Sequence, residues 1–324
     1  MKHRLLAIVI ILSLLLSGCG GAGMQGDNID IANMVTGTGI VTASDLIEFI
    51  KNGDTDTATL LAPIDLGNEM LKITSGRGPI IIMGNGCAIN SAADCVIRID
   101  SGCELTLNNV SIEGRVDGIG CLGDADIGGS AASITAGNSA IMSKGKITIA
   151  PGSELKLIAN TGSALTGKGI TLLKGAKITS SAGLNAVCTT KNDLVLYEDA
   201  ELHAVTSTNY NAVKCEDRLV MKAGSVFDVG NTGDYHGAEI DSISVEGPVN
   251  IYAKGGSKGI GVFIFTHTDD ICVIGECTPG PQFENGRGSI TFVKDISGYN
   301  DWAKAKSEVD AEAETQKDAE ETEG

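Results

Sequence analysis

The chain has 324 residues and a net charge of −17, with 43 glycines, six prolines and only 4% aromatic residues. A surface this acidic repels nucleic acid, pectin and other polyanions unless divalent cations intervene, so we expect no nucleic-acid partner. Many glycine turns and few aromatic residues, together with much Val, Ile, Thr and Ser, favour short strands over helices.

Residues 1–19 have the pattern of a bacterial lipoprotein signal peptide. A charged start at residues 2–4 precedes an apolar run at 5–16, which is too short for an ordinary membrane span. The run ends in a Leu-Ser-Gly-Cys string that resembles the bacterial lipobox. This resemblance implies acylation of Cys19 and anchoring to the extracellular face of the bacterial membrane, through lipid alone. An ordinary secretory signal is the alternative.

Two polar segments flank the region that has the composition of a folded domain. Residues 20–41 are rich in glycine, which predicts a flexible tether. Residues 299–324 predict a disordered acidic tail, and a tail that binds cations or a partner is the alternative. Between them, residues 42–298 predict a single β domain, because one repeat pattern runs through most of this stretch.

One helix is predicted, from Thr42 to Asn52. Thr42 or Ser44 can cap its start, Asp45 suits its first turn and Gly53 follows its end. Its apolar face comprises Leu46, Ile47, Phe49 and Ile50. Because a stack of parallel strands needs its first turn covered, we interpret this helix as an N-terminal cap.

Short apolar alternations form a repeat that is clearest between residues 139 and 259. Its markers are five alanines spaced 24, 22, 26 and 26 residues apart: Ala140, Ala164, Ala186, Ala212 and Ala238. A period of 22–26 residues fits one solenoid turn of three short strands, each pairing with its equivalent ~4.8 Å away. The repeats therefore predict an all-β fold, a single-stranded right-handed parallel β-helix of about ten coils behind the capping helix.

The sequence also resembles a known group of proteins over roughly residues 42–295. The repeats, the helix before the first strand and the Ile-Ile-Ile-Met-Gly-Asn-Gly string at 80–86 are similar to pectate-lyase-like right-handed β-helix proteins. More narrowly, they resemble clostridial carbohydrate-binding or adhesive-domain surface lipoproteins. This resemblance implies a polysaccharide or cell-wall glycan as the partner.

We find no convincing catalytic constellation. Lyases of the resembled class need an acidic calcium cluster and a basic residue, for which Arg98, Arg115 and Arg218 are candidates. Asp269-Asp270 follows His267 and echoes a glycosidase, but paired carboxylates lie ~5–10 Å apart, and neighbouring strand residues point to opposite faces. We therefore expect binding without catalysis. The alternatives are a calcium-dependent polysaccharide lyase or glycoside hydrolase, and a structural adhesin with a protein partner.

Two tyrosines mark the best candidate for a carbohydrate site. Tyr210 and Tyr235 precede two of the repeat alanines, by two and three residues, so we expect them on one corner of adjacent turns. Sugar rings stack on exposed aromatic faces, and Asn211 and His236 adjoin the two tyrosines. A ladder of aromatic rings that pack only on one another is the alternative.

Acidic residues in glycine-rich stretches are candidates for a calcium site. Residues 113–138 interrupt the repeat, which predicts a loop projecting from one corner. Carboxylate oxygens in such loops suit calcium. The candidate ligands are Asp117, Asp124 and Asp126 in this loop, and Asp228 and Asp234 near the tyrosines. Solvated acidic side chains are the alternative.

Eight cysteines remain besides Cys19, an even number that permits disulfides outside the cell. Cys188 and Cys215 follow repeat alanines by two and three residues, so we expect them near one height in adjacent turns. Buried free thiols are the alternative.

Overall fold

The computed structural model describes residues 37–246, 249–256, 262–264 and 273–274. In these ranges the chain forms a parallel β-solenoid of about nine turns, which confirms the all-β parallel β-helix and comes close to the ten turns expected. The signal peptide with Cys19, the tether up to residue 36, the acidic tail and the His267 region lie outside the described residues. Of the helical residues described, none belongs to a helix long and apolar enough to span a membrane.

One helix and 27 strands make up the described structure. The helix, α1, spans Ala43–Asn52. The first strands are β1 (Thr38–Ile40), β2 (Thr57–Leu60), β3 (Ile64–Asp65), β4 (Leu71–Ile73), β5 (Ile80–Met83), β6 (Ala88–Ser91), β7 (Cys95–Ile99), β8 (Cys103–Asn108), β9 (Ser111–Gly114), β10 (Asp117–Cys121), β11 (Ala125–Ser130), β12 (Ala132–Ala136), β13 (Ser139–Ser143) and β14 (Lys146–Ile149). They are followed by β15 (Glu154–Ala159), β16 (Leu165–Gly167), β17 (Gly169–Leu172), β18 (Lys177–Ala182), β19 (Val187–Thr189), β20 (Leu194–Leu196), β21 (Glu201–Thr206), β22 (Val213–Lys222), β23 (Val226–Asn231), β24 (Ala238–Glu246), β25 (Asn250–Lys254), β26 (Val262–Ile264) and β27 (Val273–Ile274).

The strands stack into three faces, which we call A, B and C in the order in which one turn visits them. Face A runs from β4 through β7, β10, β13, β16, β19, β22 and β24 to β26. Face B starts at β1 and β2 and continues through β5, β8, β11, β14, β17 and β20 into the second halves of β22 and β24. Face C holds the ten remaining strands, from β3 to β27. Strand β22 passes from face A to face B through a bulge between Cys215 and Arg218.

Identical positions of successive turns form apolar ladders inside the solenoid. On face C one ladder runs through Ile64, Ile89, Ile112, Ile134 and Leu157, all essentially inaccessible to solvent. Burial of each such side chain contributes about 1.5–3 kcal/mol, and each turn depends on its neighbours for that burial.

Helix α1 covers the start of the stack, as the sequence predicts. Thr42 and Asp45 form a capping box, in which each side chain accepts a hydrogen bond from the other residue's backbone N–H. Leu46, Phe49 and Ile50 are buried below the helix. The solenoid itself begins earlier than residue 42, because β1 already pairs with β2.

The predicted loop at residues 113–138 is wrong. This segment forms β9 to β12 and completes a regular turn. Its glycines lie where a neighbouring turn approaches closely: a Cβ at Gly118 would meet the Ala140 carbonyl oxygen at 2.6 Å, and one at Gly129 would meet the Leu107 carbonyl oxygen at 1.9 Å. Glycine richness here reflects tight stacking of backbone on backbone rather than a projecting loop.

Four of the five repeat alanines lie in register. The backbone N–H groups of Ile141, Leu165 and Val187 donate to the carbonyls of Ala164, Ala186 and Ala212, at 2.8 to 3.0 Å. The next bond of the series runs from Val213 to Gly237, so Gly237 replaces Ala238 as the fifth member. This shift of one residue changes which side chains coincide on adjacent turns.

The six described cysteines are free thiols. Cys188 pairs with Lys214 and Thr189 with Cys215, so the predicted match of Cys188 with Cys215 is wrong by one position. Neighbouring strand residues point to opposite faces, which separates the two thiols. Burial raises the pKa of Cys188 to about 11 and that of Cys121 to about 12, so both stay protonated and unreactive near neutral pH.

Candidate functional site

Tyr210 and Tyr235 occupy the same position on adjacent turns. On face C, Thr206 pairs with Asn231, and on face A, Val213 pairs with Ala238. Both pairs are separated by 25 residues, as are the two tyrosines, so the connecting segments have equal length. Asn211 and His236 coincide in the same way. We call these four residues the aromatic corner.

The buried side chain of Asn231 holds the backbone of the aromatic corner. Its Nδ2 donates to the carbonyl oxygen of Tyr210 at 2.7 Å and to that of His236 at 3.3 Å. Its Oδ1 accepts from the backbone N–H of Gly233 at 2.6 Å. Asn231 is 1% exposed, so this one amide ties both turns of the corner together out of reach of solvent.

The two tyrosine rings are available at the surface. Tyr210 is 48% exposed and Tyr235 is 41% exposed. The ring of Tyr235 contacts that of His236, with centroids 4.7 Å apart and planes tilted by 53°. Asn211 is buried, and its Nδ2 donates to Oε2 of Glu239 at 3.0 Å, while its Oδ1 has no hydrogen-bond partner. The corner therefore combines exposed aromatic surface with closely held polar groups.

Asp228 lies away from the aromatic corner and takes part in an ion-pair chain on face C. His203 Nδ1 lies 2.9 Å from Oδ2 of Asp228, and its Nε2 lies 3.3 Å from Oε2 of Glu201. Lys177 Nζ extends the chain, 2.7 Å from Oε1 of Glu201. Sequence analysis missed His203, although the 25-residue offset that aligns the tyrosines also pairs His203 with Asp228.

The ion-pair chain shifts the pKa values of two of its members. The hydrogen bond to Asp228 is the largest cause of a raised pKa at His203, with Glu201 adding to it against the effect of burial. At Glu201 burial alone would raise the pKa, but hydrogen bonds from Lys177 and His203 outweigh it and lower the pKa. The imidazolium form of His203 is therefore favoured between the carboxylates of Asp228 and Glu201.

We expect His203→Gln to destabilise the protein in a pH-dependent way. A raised folded-state pKa means that the charged histidine stabilises the fold fully below its unfolded pKa of about 6.5, and that this contribution disappears as the pH rises through the folded-state value. Thermal unfolding should therefore show the largest Tm difference from the parent near pH 6 and almost none near pH 9. A Tm difference that stays constant over this range would contradict the ion-pair chain.

The other predicted calcium ligands are dispersed. Asp117 Oδ1 accepts from the Ser139 backbone N–H at 3.1 Å and from Asn138 Nδ2 at 2.9 Å. Asp124 Oδ1 accepts from the backbone N–H of Lys146 at 2.8 Å, and Asp126 is exposed on β11. Asp234 lies between β23 and β24. Within the described ranges, no group of three or more His, Cys, Asp or Glu residues is arranged to hold a metal ion.

The three arginines considered as catalytic bases lie at different places. Arg98 is on face A, in β7. Arg115 follows face C and pairs with Asp94 at 3.5 Å. Arg218 lies at the junction of faces A and B and pairs with Asp193 at 2.7 Å. The structure does not bring them together around one acidic cluster.

Comparison of the chain with protein-family models, with curated proteins and with solved structures yielded no significant match. The fold defines the protein by its architecture, a parallel β-solenoid with an N-terminal helical cap.

Proposed function

We propose that this protein binds a carbohydrate or another cell-surface polymer at the aromatic corner, without catalysis. The observation that carries the proposal is that Tyr210 and Tyr235 hold equivalent positions between paired strands of adjacent turns, with both side chains close to half exposed. Exposed aromatic faces are the surfaces on which sugar rings stack, and two of them one turn apart form platforms ~4.8 Å apart along the solenoid.

Polar groups around the rings support the same function. The imidazole of His236 packs against the ring of Tyr235, which places a polar ring next to an aromatic face. Asn231 fixes the backbone under both tyrosines, so little conformational freedom is lost when a ligand binds. The resemblance of the repeats to pectate-lyase-like proteins and to clostridial surface lipoproteins agrees with a glycan ligand and with a lipid anchor at Cys19.

We expect the double variant Tyr210→Ala, Tyr235→Ala to lose most of its glycan binding. Each lost ring contact is worth about 0.5–1.5 kcal/mol, so together they reduce affinity by about fivefold to about 150-fold. A glycan array selects a retained sugar, and titration of that sugar into parent and variant measures the loss.

Tyr197→Ala is the matched control for this experiment. Tyr197 is 37% exposed but lies between β20 and β21, on a different corner of the solenoid. Its loss should leave affinity unchanged. Equal affinities for the parent and the double variant would refute the aromatic corner as the site. Product that absorbs in the ultraviolet, formed from pectin in the presence of calcium, would refute the absence of catalysis.

A further inference from the structure

A groove between helix α1 and face A collects positive charge in an otherwise acidic protein. It encloses about 650 Å³. Its cationic lining comes from three separate elements: Lys51 at the end of α1, Lys72 on β4 and Arg98 on β7. The protein as a whole carries a net charge of −17, so a groove lined by three cationic side chains differs in charge from most of the surface.

Lys72 and Arg98 are direct neighbours in the sheet. The register of β4 and β7 places them opposite each other, on strands ~4.8 Å apart. Like charges at directly opposite positions destabilise a sheet. The residue opposite Arg98 on the next strand, β10, is Gly120, so no acidic side chain balances Arg98 in this row. The pair therefore has no acidic partner in its own row, and an anionic ligand would neutralise its charge.

Two acids at the rim of the groove only partly offset these cations. The carboxylate of Asp94 lies 3.5 Å from Nη2 of Arg115, which offsets its charge. Glu69 is exposed in the segment just before β4. Apolar surface also lines the groove, because Ile47 and Met70 are partly exposed there, next to buried Ile50 and Leu71. A ligand with one strongly anionic group beside an apolar portion fits this combination of charges and surface.

The position of the groove indicates what such a ligand is. The groove lies at the N-terminal end of the solenoid, in its first turns. Eighteen residues separate Cys19 from β1, and a chain of that length reaches at most ~60 Å. If Cys19 is acylated, this end of the solenoid is the one joined to the membrane anchor, and anionic phosphate headgroups of the membrane attract basic side chains.

We propose that the groove between α1 and face A binds the phosphate group of an anionic lipid headgroup. Lys72 and Arg98 neutralise the phosphate, Lys51 adds charge from the helix, and the apolar surface of the groove accommodates the start of the lipid portion. This binding orients the solenoid with its N-terminal end on the membrane and its aromatic corner, several turns away, directed outward. The proposal is independent of the glycan site and does not require acylation for its test.

The test is cosedimentation of the full chain with vesicles of phosphatidylglycerol and, separately, of phosphatidylcholine. Each is measured for the parent, for Lys72→Met with Arg98→Met, and for the control Lys144→Met with Lys156→Met, which changes two exposed lysines on later turns. The N-terminal segment is the same in all three proteins, so its own membrane affinity cancels. Unfolding curves establish that the variants remain folded.

We expect the parent and the control to prefer phosphatidylglycerol, and the groove variant to lose at least about tenfold of that preference, since each basic residue near an anionic surface contributes about fivefold. An unchanged preference in the groove variant overturns the proposal. Stabilisation of the parent by inorganic phosphate without any vesicle preference also overturns it, because the site would then serve a soluble phosphate ligand.

Discussion

Gly129→Ala should lower the free energy of unfolding by about 4 kcal/mol. Gly129 has a φ of 150° in β11, and a Cβ there would lie 1.9 Å from the carbonyl oxygen of Leu107 and 2.8 Å from its carbonyl carbon. The obstructing atoms are backbone of the adjacent turn, so they cannot move without disturbing the ladder between β8 and β11. Backbone strain and overpacking each cost about 1–3 kcal/mol, and both apply here. Urea unfolding of parent and variant measures the difference.

Gly152→Ala separates close packing from conformational strain. Gly152 also has a positive φ, 65°, but nothing lies within 4 Å of the added Cβ. Its substitution should cost only about 1–2 kcal/mol, which is the penalty for an L-residue in the left-handed region. Equal losses of unfolding free energy in the two variants would show that the Leu107 carbonyl does not restrict the side chain at position 129. That result would contradict the close stacking inferred for residues 113–138.

Asn231→Ala should destabilise the protein by about 3 kcal/mol and also weaken glycan binding. The substitution leaves the carbonyls of Tyr210 and His236 and the N–H of Gly233 without their buried partner. An unsatisfied buried polar group costs about 1–3 kcal/mol, and entering water recovers part of the total. The two tyrosines lose the amide that aligns their turns, so affinity should fall although neither ring has been removed.

Thr232→Ala is the control, because Thr232 is exposed and adjoins Asn231 in the chain. It should change neither stability nor affinity by a measurable amount. If Asn231→Ala unfolds the protein at the assay temperature, the lost Tm still tests the hydrogen-bond network. Full stability of the variant, or full affinity in a stable variant, would contradict the role of Asn231 as a positioning residue.

Local chemistry explains why some features were predictable from sequence. The capping helix followed from Thr42, Asp45 and the apolar spacing behind them, all of which act within one helix. The parallel solenoid followed from alternation and a period of 22–26 residues, since hairpin turns were missing from the repeats. These signals depend on neighbours in the chain, and the structure confirms both elements.

Contacts between turns explain what sequence analysis missed. The glycines at 118 and 129 suggested a loop in the sequence. The backbone carbonyls that require glycine at these positions belong to neighbouring turns, which the sequence does not show. Cys188 and Cys215 follow in-register alanines by two and three residues, so they lie one position apart and Cys188 is opposite Lys214. His203 forms its ion pair with Asp228, which is 25 residues away in the chain but adjacent in the sheet. The errors on the glycines and on His203 concern distances that the chain does not encode locally.

The sequence by itself determined the architecture of this protein, because strand alternation, repeat period and helix capping are local properties that favour one fold. It also identified Tyr210 and Tyr235 as candidates, because each tyrosine lies shortly before a repeat alanine in the sequence. Only the tertiary structure decided that these tyrosines hold equivalent positions, that Asn231 binds the backbone of their turns, and that Lys72 and Arg98 lie opposite each other. The physical reason is that register between turns depends on the summed length of all connections, which is known only once every turn is stacked.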